Sequence, residues 1–205
     1  DHARTDRRPC CVFFFGGGWY GGSPEHFYRQ SRHLADKGMV AICPNYRVKT
    51  QHGTPPTMCV EDGKSAMRWI RDHAEKLGID PDRIAAGGGS AGGHVAAATA
   101  FVTEFNSPDD TLDVSPVPDA LVLFNPVIDN GPDGYGHDRV EKHWKDFSPM
   151  HNISTNPPPM LFMLGTEDKH IPVETAHETA RRMKAAGGRC EVRLYDDQPH
   201  GFFNR

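Results

Sequence analysis

The chain has 205 residues, of which 37% are hydrophobic and 24% are charged, and its formal net charge at pH 7 is −4. This size and balance are typical of an ordinary globular domain with one core, so we expect residues 1–205 to form a single domain. Without a basic excess we expect no nucleic-acid partner, and no apolar run approaches the roughly 20 residues that a membrane-spanning helix needs. These features favour a soluble protein that acts on a small molecule.

The beginning of the chain says little about location. Residues 1–9 are polar, lack the apolar region of a signal peptide and are predicted to form a loop before a strand. Because chain upstream of such a loop could have been removed, cytoplasmic and secreted locations both stay open. A homo-oligomeric state stays open as well.

Cysteine and histidine patterns give no indication of a metal. The five cysteines have neither CxxC nor zinc-like spacing: Cys10, Cys11, Cys43, Cys59 and Cys190. We expect buried free thiols, with a single disulfide as the alternative. The twelve histidines are scattered and include no HExxH motif, so neither a metal site nor a cofactor is predicted.

Strand and helix patterns alternate through the first half of the chain. Apolar runs at 10–15 and 39–43 are typical of parallel strands covered on both faces, and 83–86 is predicted as the third strand. A glycine-rich loop at 16–22 follows the first run, and Ser23 and Pro24 then predict the start of a helix that ends near residue 37. A long amphipathic helix is predicted over 57–77. Its buried side is expected to include Met58, Ala66, Trp69, Ile70 and Leu77.

The segment 85–97, AAGGGSAGGHVAA, places Ser90 between glycines two positions before it and two after it. That spacing is typical of a nucleophile elbow, in which a strand turns sharply into a helix and holds the serine hydroxyl out. The helix is predicted over 91–102. A glycine-flanked serine is also common in plain loops and phosphate-binding turns, so its surroundings must decide.

The second half continues the alternation. A polar loop at 106–118 leads to a strand at 120–124, and the segment 129–156 lacks periodicity, which predicts an insertion over a site. A strand at 160–164, a helix at 173–186 and a strand at 190–195 complete the pattern. We therefore predict an α/β fold with a mostly parallel sheet of about six strands and helices on both faces.

Polar residues just after the strands give the candidate chemistry, because reactive groups of an open α/β sheet collect at the carboxyl ends of its strands. Ser90 follows the third strand, Asp168 the fifth and His200 the sixth. The order serine, acid, histidine is that of the α/β-hydrolases. Rivals for the acid are Glu167, Asp196 and Asp197, and rivals for the base are His137, His143 and His170. His94 is predicted to be a packing residue of its helix.

With these motifs in place, the chain resembles the α/β-hydrolase carboxylesterases that carry an HGGGW-like oxyanion loop, a group with acetyl-xylan, feruloyl and hormone-sensitive-lipase-like esterases. The resemblance covers nearly the whole chain and rests on FFFGGGW, GGSAGG, LGTEDKHIP and PHGF, at 13–19, 88–93, 164–172 and 199–202. It implies ester cleavage without a cofactor. Ser90 would be the nucleophile, His200 the base, Asp168 its orienting acid, and the backbone of Gly17, Gly18 and Ala91 the oxyanion hole.

The chain also departs from this group. Phe15 stands where a histidine usually opens the glycine motif, so we expect packing to fix the loop, and Gly89 stands where hormone-sensitive-lipase-like enzymes have an acid. The early antiparallel strands of the fold and a helix after His200 are not predicted. Aromatic candidates for the substrate pocket are Trp19, Tyr20, Tyr135, His137 and Trp144. An arylformamidase or peptidase with the same triad, and a non-catalytic binding protein on this fold, are the alternatives.

Overall fold

A six-stranded sheet forms the centre of the molecule in the computed structural model, which describes residues 6–204. The strands are β1 (Arg8–Phe14), β2 (Val40–Ile42), β3 (Ile79–Gly89), β4 (Ala120–Phe124), β5 (Met160–Gly165) and β6 (Cys190–Tyr195). Their order is β2-β1-β3-β4-β5-β6, and every neighbouring pair is parallel. The predicted parallel α/β fold is confirmed, and all carboxyl ends meet at one edge.

Strand β3 is longer than predicted, because the glycines before Ser90 belong to it. Gly87 and Gly88 pair with Phe13 and Phe14 of β1, and on the other side the strand pairs with β4 as far as Gly89. The predicted polar loop at 1–9 is replaced by strand from Arg8 onward, and residues 1–5 lie outside the described part of the chain.

Eight α-helices occur within residues 6–204. They are α1 (Tyr28–Asp36), α2 (Lys49–His52), α3 (Pro56–Asp72), α4 (Ala74–Leu77), α5 (Ala91–Phe101), α6 (His137–Val140), α7 (Trp144–Phe147) and α8 (Val173–Ala185). Short 3₁₀ turns lie at Pro24–Phe27, Pro149–Asn152 and Phe202–Asn204.

Three details of the helix predictions are wrong. Helix α1 is preceded by a 3₁₀ turn, and Ser23 makes no side-chain capping bond there. The long helix is divided at His73, and Trp69 is 55% exposed because it lies opposite the buried face formed by Cys59, Val60, Gly63, Met67 and Ile70. Helix α2 lies between β2 and α3, where no helix was predicted.

The helices cover both faces of the sheet. Helices α3, α5 and α8 contribute to the larger apolar core, whereas α1 and Phe27 pack with Cys11 and Phe13 on the opposite face. Helices α3 and α5 approach closely at Gly63, where an added Cβ would lie 2.4 Å from Val95. A largely apolar groove of about 540 Å³ lies on the α1 side, lined in part by Leu34, Phe124 and Met163.

One face of α3 holds the long loop between α5 and β4. The Lys64 ammonium donates to the carbonyls of Thr103 and Glu104, and Arg68 donates to the Val114 carbonyl and to Asp110. Arg71 donates to carbonyls of the same loop at Ser115 and Val117. Because Lys64 and Arg68 are buried (2% and 7% exposed), these bonds supply the partners that buried cations need.

The five cysteines are free. Cys10, Cys11 and Cys59 are buried as expected, and burial raises the pKa of the Cys10 and Cys59 thiols to about 12. Cys43 and Cys190 are only partly buried, which differs from the expectation. Across residues 6–204, the structure contains no helix with the length and apolar character required to cross a membrane.

Candidate active site

Ser90 lies at a strained turn between β3 and α5. Its backbone has φ 55° and ψ −125°, values that a residue with a side chain rarely adopts. The Ser90 N–H donates to the carbonyls of Phe124 and Asn125, and its own carbonyl accepts from Val127 and His94. These four backbone bonds maintain the strained conformation.

The flanking glycines are required by the close approach of backbone. A Cβ at Gly88 would lie 2.5 Å from the Gly92 carbonyl oxygen, and a Cβ at Gly92 would lie 2.1 Å from that of Phe14. Position 89 requires glycine for a different reason, because a Cβ there would lie 2.2 Å from the Phe203 ring. The space left by a missing side chain at position 89 is therefore filled by Phe203.

The structure brings Ser90, His200 and Asp168 together from the ends of three strands. Ser90 Oγ lies 2.8 Å from His200 Nε2, and His200 Nδ1 lies 2.7 Å from Asp168 Oδ2. An ionised carboxylate only accepts hydrogen bonds, so Nδ1 carries the ring proton and Nε2 accepts from the serine hydroxyl. This is the arrangement in which a histidine can take the proton of a serine.

The rivals of these residues lie elsewhere. Glu167, Asp196 and Asp197 are exposed and Asp168 is the carboxylate that contacts His200. His137 Nδ1 contacts the Asn130 carbonyl, and the His143 ring lies against Phe105. The ring of His170 lies 4.9 Å from that of His200, so it belongs to the wall of the site.

Asn125 is a site residue that the sequence analysis missed. Its side-chain N–H donates to Asp168 Oδ2 at 2.6 Å, and it is fully buried. Burial alone would raise the pKa of Asp168, but the bonds from His200, Asn125 and the His170 backbone outweigh it, so the pKa lies below its ordinary value. The sequence feature that could have identified Asn125 is its position directly after β4, at the edge of the sheet where reactive groups collect.

The glycine loop after β1 lies beside Ser90. Gly17 has φ +130° and Gly18 φ +63°, and a Cβ at Gly17 would lie 2.1 Å from the Gly21 carbonyl oxygen. None of the hydrogen bonds described for residues 6–204 uses the N–H of Gly17 or Gly18. Ala91 is the first residue of α5, and a first-turn N–H has no partner within its helix. These three N–H groups are thus available to a ligand.

The expectation that packing fixes this loop is incomplete, because hydrogen bonds also hold it. Phe15 does stack on Tyr46, with ring centroids 4.0 Å apart. In addition, the Tyr46 hydroxyl donates to the Phe15 carbonyl, the Gly16 N–H donates to His26 Nδ1, and Arg139 donates to the Gly18 carbonyl. His26 and Arg139 were not identified from the sequence, since both reach the loop only through the folded chain.

A cavity of about 410 Å³ contains Ser90 and His200. Tyr20, Tyr135 and Arg139 line it, so the two tyrosines lie where a substrate pocket was predicted. Phe203 separates this cavity from the apolar groove on the α1 side, since it lines both. Gly18, Tyr20 and Arg139 also line a neighbouring cavity of about 540 Å³ that contains Lys49.

The other pocket candidates are not in the wall of the Ser90 cavity. Trp19 is 1% exposed and packs against His94, Tyr135 and Phe147, reaching only the neighbouring cavity. His137 and Trp144 lie against each other, 6.1 Å between ring centroids, outside that wall. The insertion therefore contributes Tyr135 and Arg139 to the site, while its other aromatics pack within it.

Helix α5 and the insertion are joined at His94, which is buried as predicted. Its ring stacks on Phe147, and Nε2 lies 3.1 Å from the Phe147 carbonyl. Within the described residues, no group of three or more histidine, cysteine or acidic side chains is arranged to hold a metal ion.

Comparison with known proteins agrees with this geometry. The BD-FAE family matches residues 1–130, and the dienelactone hydrolase family matches residues 129–205. Among solved structures, the apo form of Thermogutta terrifontis esterase 2 is 43% identical, with a TM-score of 0.93, over 99% of this chain and 77% of that chain. The fold and its relatives define the class as the α/β-hydrolase esterases. Within that class the chain belongs to the BD-FAE family.

Curated relatives are more distant and longer. Esterase LipC of Mycobacterium tuberculosis is 29% identical over 88% of this chain and 49% of its own length. The acetylxylan esterase of Xylanibacter ruminicola is 26% identical over 85% of this chain and 37% of its own length. The chain thus spans about half or less of the length of these relatives.

Proposed function

We propose that the chain is a serine hydrolase that cleaves carboxylic esters through an acyl-enzyme on Ser90. The observation that carries this proposal is the continuous contact from Ser90 Oγ to His200 (2.8 Å) and on to Asp168 (2.7 Å). Membership of an esterase family supports the reaction type.

In the first half-reaction, Ser90 Oγ attacks the ester carbonyl carbon while its proton passes to His200 Nε2. The tetrahedral intermediate collapses, the bond to the alcohol oxygen breaks, and His200 returns the proton to the leaving alcohol. In the second, water attacks the acyl-enzyme, giving up a proton to His200, and the acid leaves as Ser90 regains that proton. Asp168 keeps the imidazole in the required tautomer and stabilises its charged form.

The backbone N–H groups of Gly17, Gly18 and Ala91 form the oxyanion hole in this proposal. Their position at a helix start and in a loop beside Ser90 suits the negative charge that develops on the carbonyl oxygen. Losing one such donor typically costs on the order of 100-fold in rate.

We propose short-chain acyl or carbohydrate-linked esters as substrates. The cavity of about 410 Å³ ends at Phe203, which favours a small acyl group. The neighbouring cavity beyond Tyr20 and Arg139 offers room for a larger alcohol. Thermogutta terrifontis esterase 2 has been solved with propionate and with butyrate bound, in line with a short acyl group.

The test is hydrolysis of p-nitrophenyl esters from acetate to laurate, with acetylated xylan and methyl ferulate alongside. We expect cleavage of short esters, and a loss in kcat on the order of 10⁴- to 10⁶-fold in Ser90→Ala. Ser107→Ala, in the loop held by α3, serves as the matched control and should keep full activity. No cleavage by the wild type, or full activity in Ser90→Ala, would contradict the mechanism.

A covalent probe identifies the nucleophile independently. A Thermogutta terrifontis esterase 2 structure is phosphorylated by paraoxon, so we expect paraoxon to modify Ser90, as read by peptide mass spectrometry. The same assays, with amide counterparts of the esters added, distinguish the alternatives. An arylformamidase or peptidase would prefer amide substrates, and a non-catalytic binding protein would neither cleave esters nor react with paraoxon.

A further inference from the structure

One imidazole contacts two segments of the site. His26 lies in the 3₁₀ turn Pro24–Phe27, and its Nδ1 accepts the N–H of Gly16 at 3.0 Å. Its Nε2 lies 2.5 Å from the side-chain amide of Asn204, four residues after His200. His26 thus connects the glycine loop to the segment that carries the proposed base.

The peptide unit between Phe15 and Gly16 is held at both ends. The Tyr46 hydroxyl donates to its carbonyl oxygen, and its N–H donates to His26. The next two N–H groups along the chain are those of Gly17 and Gly18. Since a peptide unit is planar, fixing this one limits the directions in which the following N–H groups can point.

There is little room for the loop to adjust in another way. A Cβ at Gly16 would lie 2.9 Å from the Gly89 carbonyl oxygen and 3.2 Å from both Ser90 Cβ and the His26 ring. The loop, the nucleophile turn and His26 are therefore in close contact. Loss of the His26 bond would leave the Gly16 N–H without its acceptor at this point.

We propose that His26 is a positioning residue of the ester-cleaving site, whose neutral imidazole orients the Gly17 and Gly18 N–H groups by accepting from Gly16. This proposal rests on the proposed function. Gly16 can only donate, so Nδ1 must be unprotonated and the ring proton lies on Nε2. The Asn204 atom that faces Nε2 is the amide nitrogen Nδ2, so accepting this proton requires the Asn204 amide to be turned by 180°, with its oxygen toward the ring. A protonated ring would direct a second N–H at Gly16 and break the bond.

The surroundings keep the ring neutral. Burial lowers the pKa of His26 below its ordinary value. The titratable or charged side chains that share its cavity are Tyr20, Tyr135, Arg139, His170 and His200, and Glu25 precedes it in the chain. The Phe27 and Phe203 rings pack against it.

The experiment compares His26→Leu with His26→Asn on p-nitrophenyl acetate. The asparagine oxygen can occupy the position of Nδ1, whereas leucine has no acceptor. We expect kcat to fall on the order of 10- to 100-fold in His26→Leu with KM little changed, since the oxyanion exists only in the transition state. His26→Asn should restore most of kcat. His33→Leu, on the exposed side of α1, is the matched control and should behave as wild type.

A pH profile provides a second test, because a merely structural role of His26 would not change the slope of the acid limb. In the wild type, the acid limb of log kcat/KM should be steeper than one proton allows, because both His200 and His26 must be neutral. In His26→Asn it should have the slope of one proton. Thermal unfolding of each variant checks that it is folded.

The inference is overturned if folded His26→Leu keeps the wild-type kcat, if its loss lies in KM alone, or if His26→Asn is damaged as severely as His26→Leu. These outcomes are distinct from failure of the proposed function, in which the wild type itself would cleave no ester.

Discussion

At the scale of a single residue, Asn125 is one of the groups that help to keep the proposed acid ionised. Its amide donates to Asp168 Oδ2, and its backbone has φ 42°, a conformation that asparagine and aspartate tolerate better than most residues. Asparagine therefore meets two requirements here, a donor toward the carboxylate and a left-handed backbone.

Asn125→Asp separates these two requirements, because aspartate keeps the backbone conformation and replaces the donor with a second carboxylate. We expect kcat/KM to fall on the order of 10- to 100-fold, the size of a lost hydrogen bond to a charged group. The added negative charge also favours the imidazolium form of His200, whose neutral form the reaction needs, so the acid limb of the rate profile should move to higher pH.

The control for this change is Asn156→Asp, at an asparagine that also has a positive φ (52°) but is exposed. It should leave both the rate and the profile unchanged. An Asn125→Asp enzyme with the wild-type profile would show that Asn125 does not act through Asp168.

At the scale of elements, one buried histidine, His94, joins α5 to the insertion. Burial lowers the pKa of His94 to about 3 from an ordinary 6.5, and outweighs the bond to the Phe147 carbonyl. The folded chain therefore keeps His94 neutral in a pH range where the unfolded chain binds a proton.

Because the unfolded state gains this proton first, His94 makes the free energy of unfolding fall as pH drops below 6.5. The fall from this group approaches about 1.4 kcal/mol per pH unit, or about 2 kcal/mol between pH 7 and pH 5. Urea unfolding of the wild type and of His94→Gln at both pH values measures the difference. Parallel pH dependence in the two proteins would contradict this assignment.

Elements and contacts differ in how far the sequence could predict them. The strands were located because buried parallel strands are continuous apolar runs, such as CCVFFF and MLFML. The predicted side of α3 for Trp69 was wrong, since Lys64 and Arg68 occupy the buried face through backbone carbonyl partners 39 or more residues away.

For the site residues too, local sequence patterns could be predicted and long-range contacts could not. Ser90, Asp168 and His200 could be proposed from local motifs and chain order. Asn125, His26 and Arg139 act through contacts with residues 43, 10 and 121 positions away, and no local pattern encodes those contacts.

At the scale of the whole molecule, the proposed triad combines residues that follow strands of unequal burial. Ser90 follows the central strand β3, whereas His200 follows the edge strand β6, whose last three residues are exposed. Segments with few buried contacts open with lower free energy than the core.

We therefore expect the segment that carries His200 to unfold locally before the whole domain unfolds. In hydrogen exchange, amides of β6 and of residues 196–204 should exchange faster than those of β3 and α5. Esterase activity should also disappear at a lower urea concentration than the global change in tryptophan fluorescence. Equal protection along the sheet, with coincident urea transitions, would contradict this expectation.

The bonds from α3 to the loop before β4 have a consequence for sequence variation. Arg68 donates to the side chains of Asn106 and Asp110. The other bonds from Lys64, Arg68 and Arg71 to this loop reach main-chain carbonyls, which every amino acid possesses. Such contacts depend on the length and path of the loop and hardly on its side chains. Most positions of this loop are thus free to diverge between related proteins, whereas the three cations, Asn106, Asp110 and the loop length would have to be inherited together.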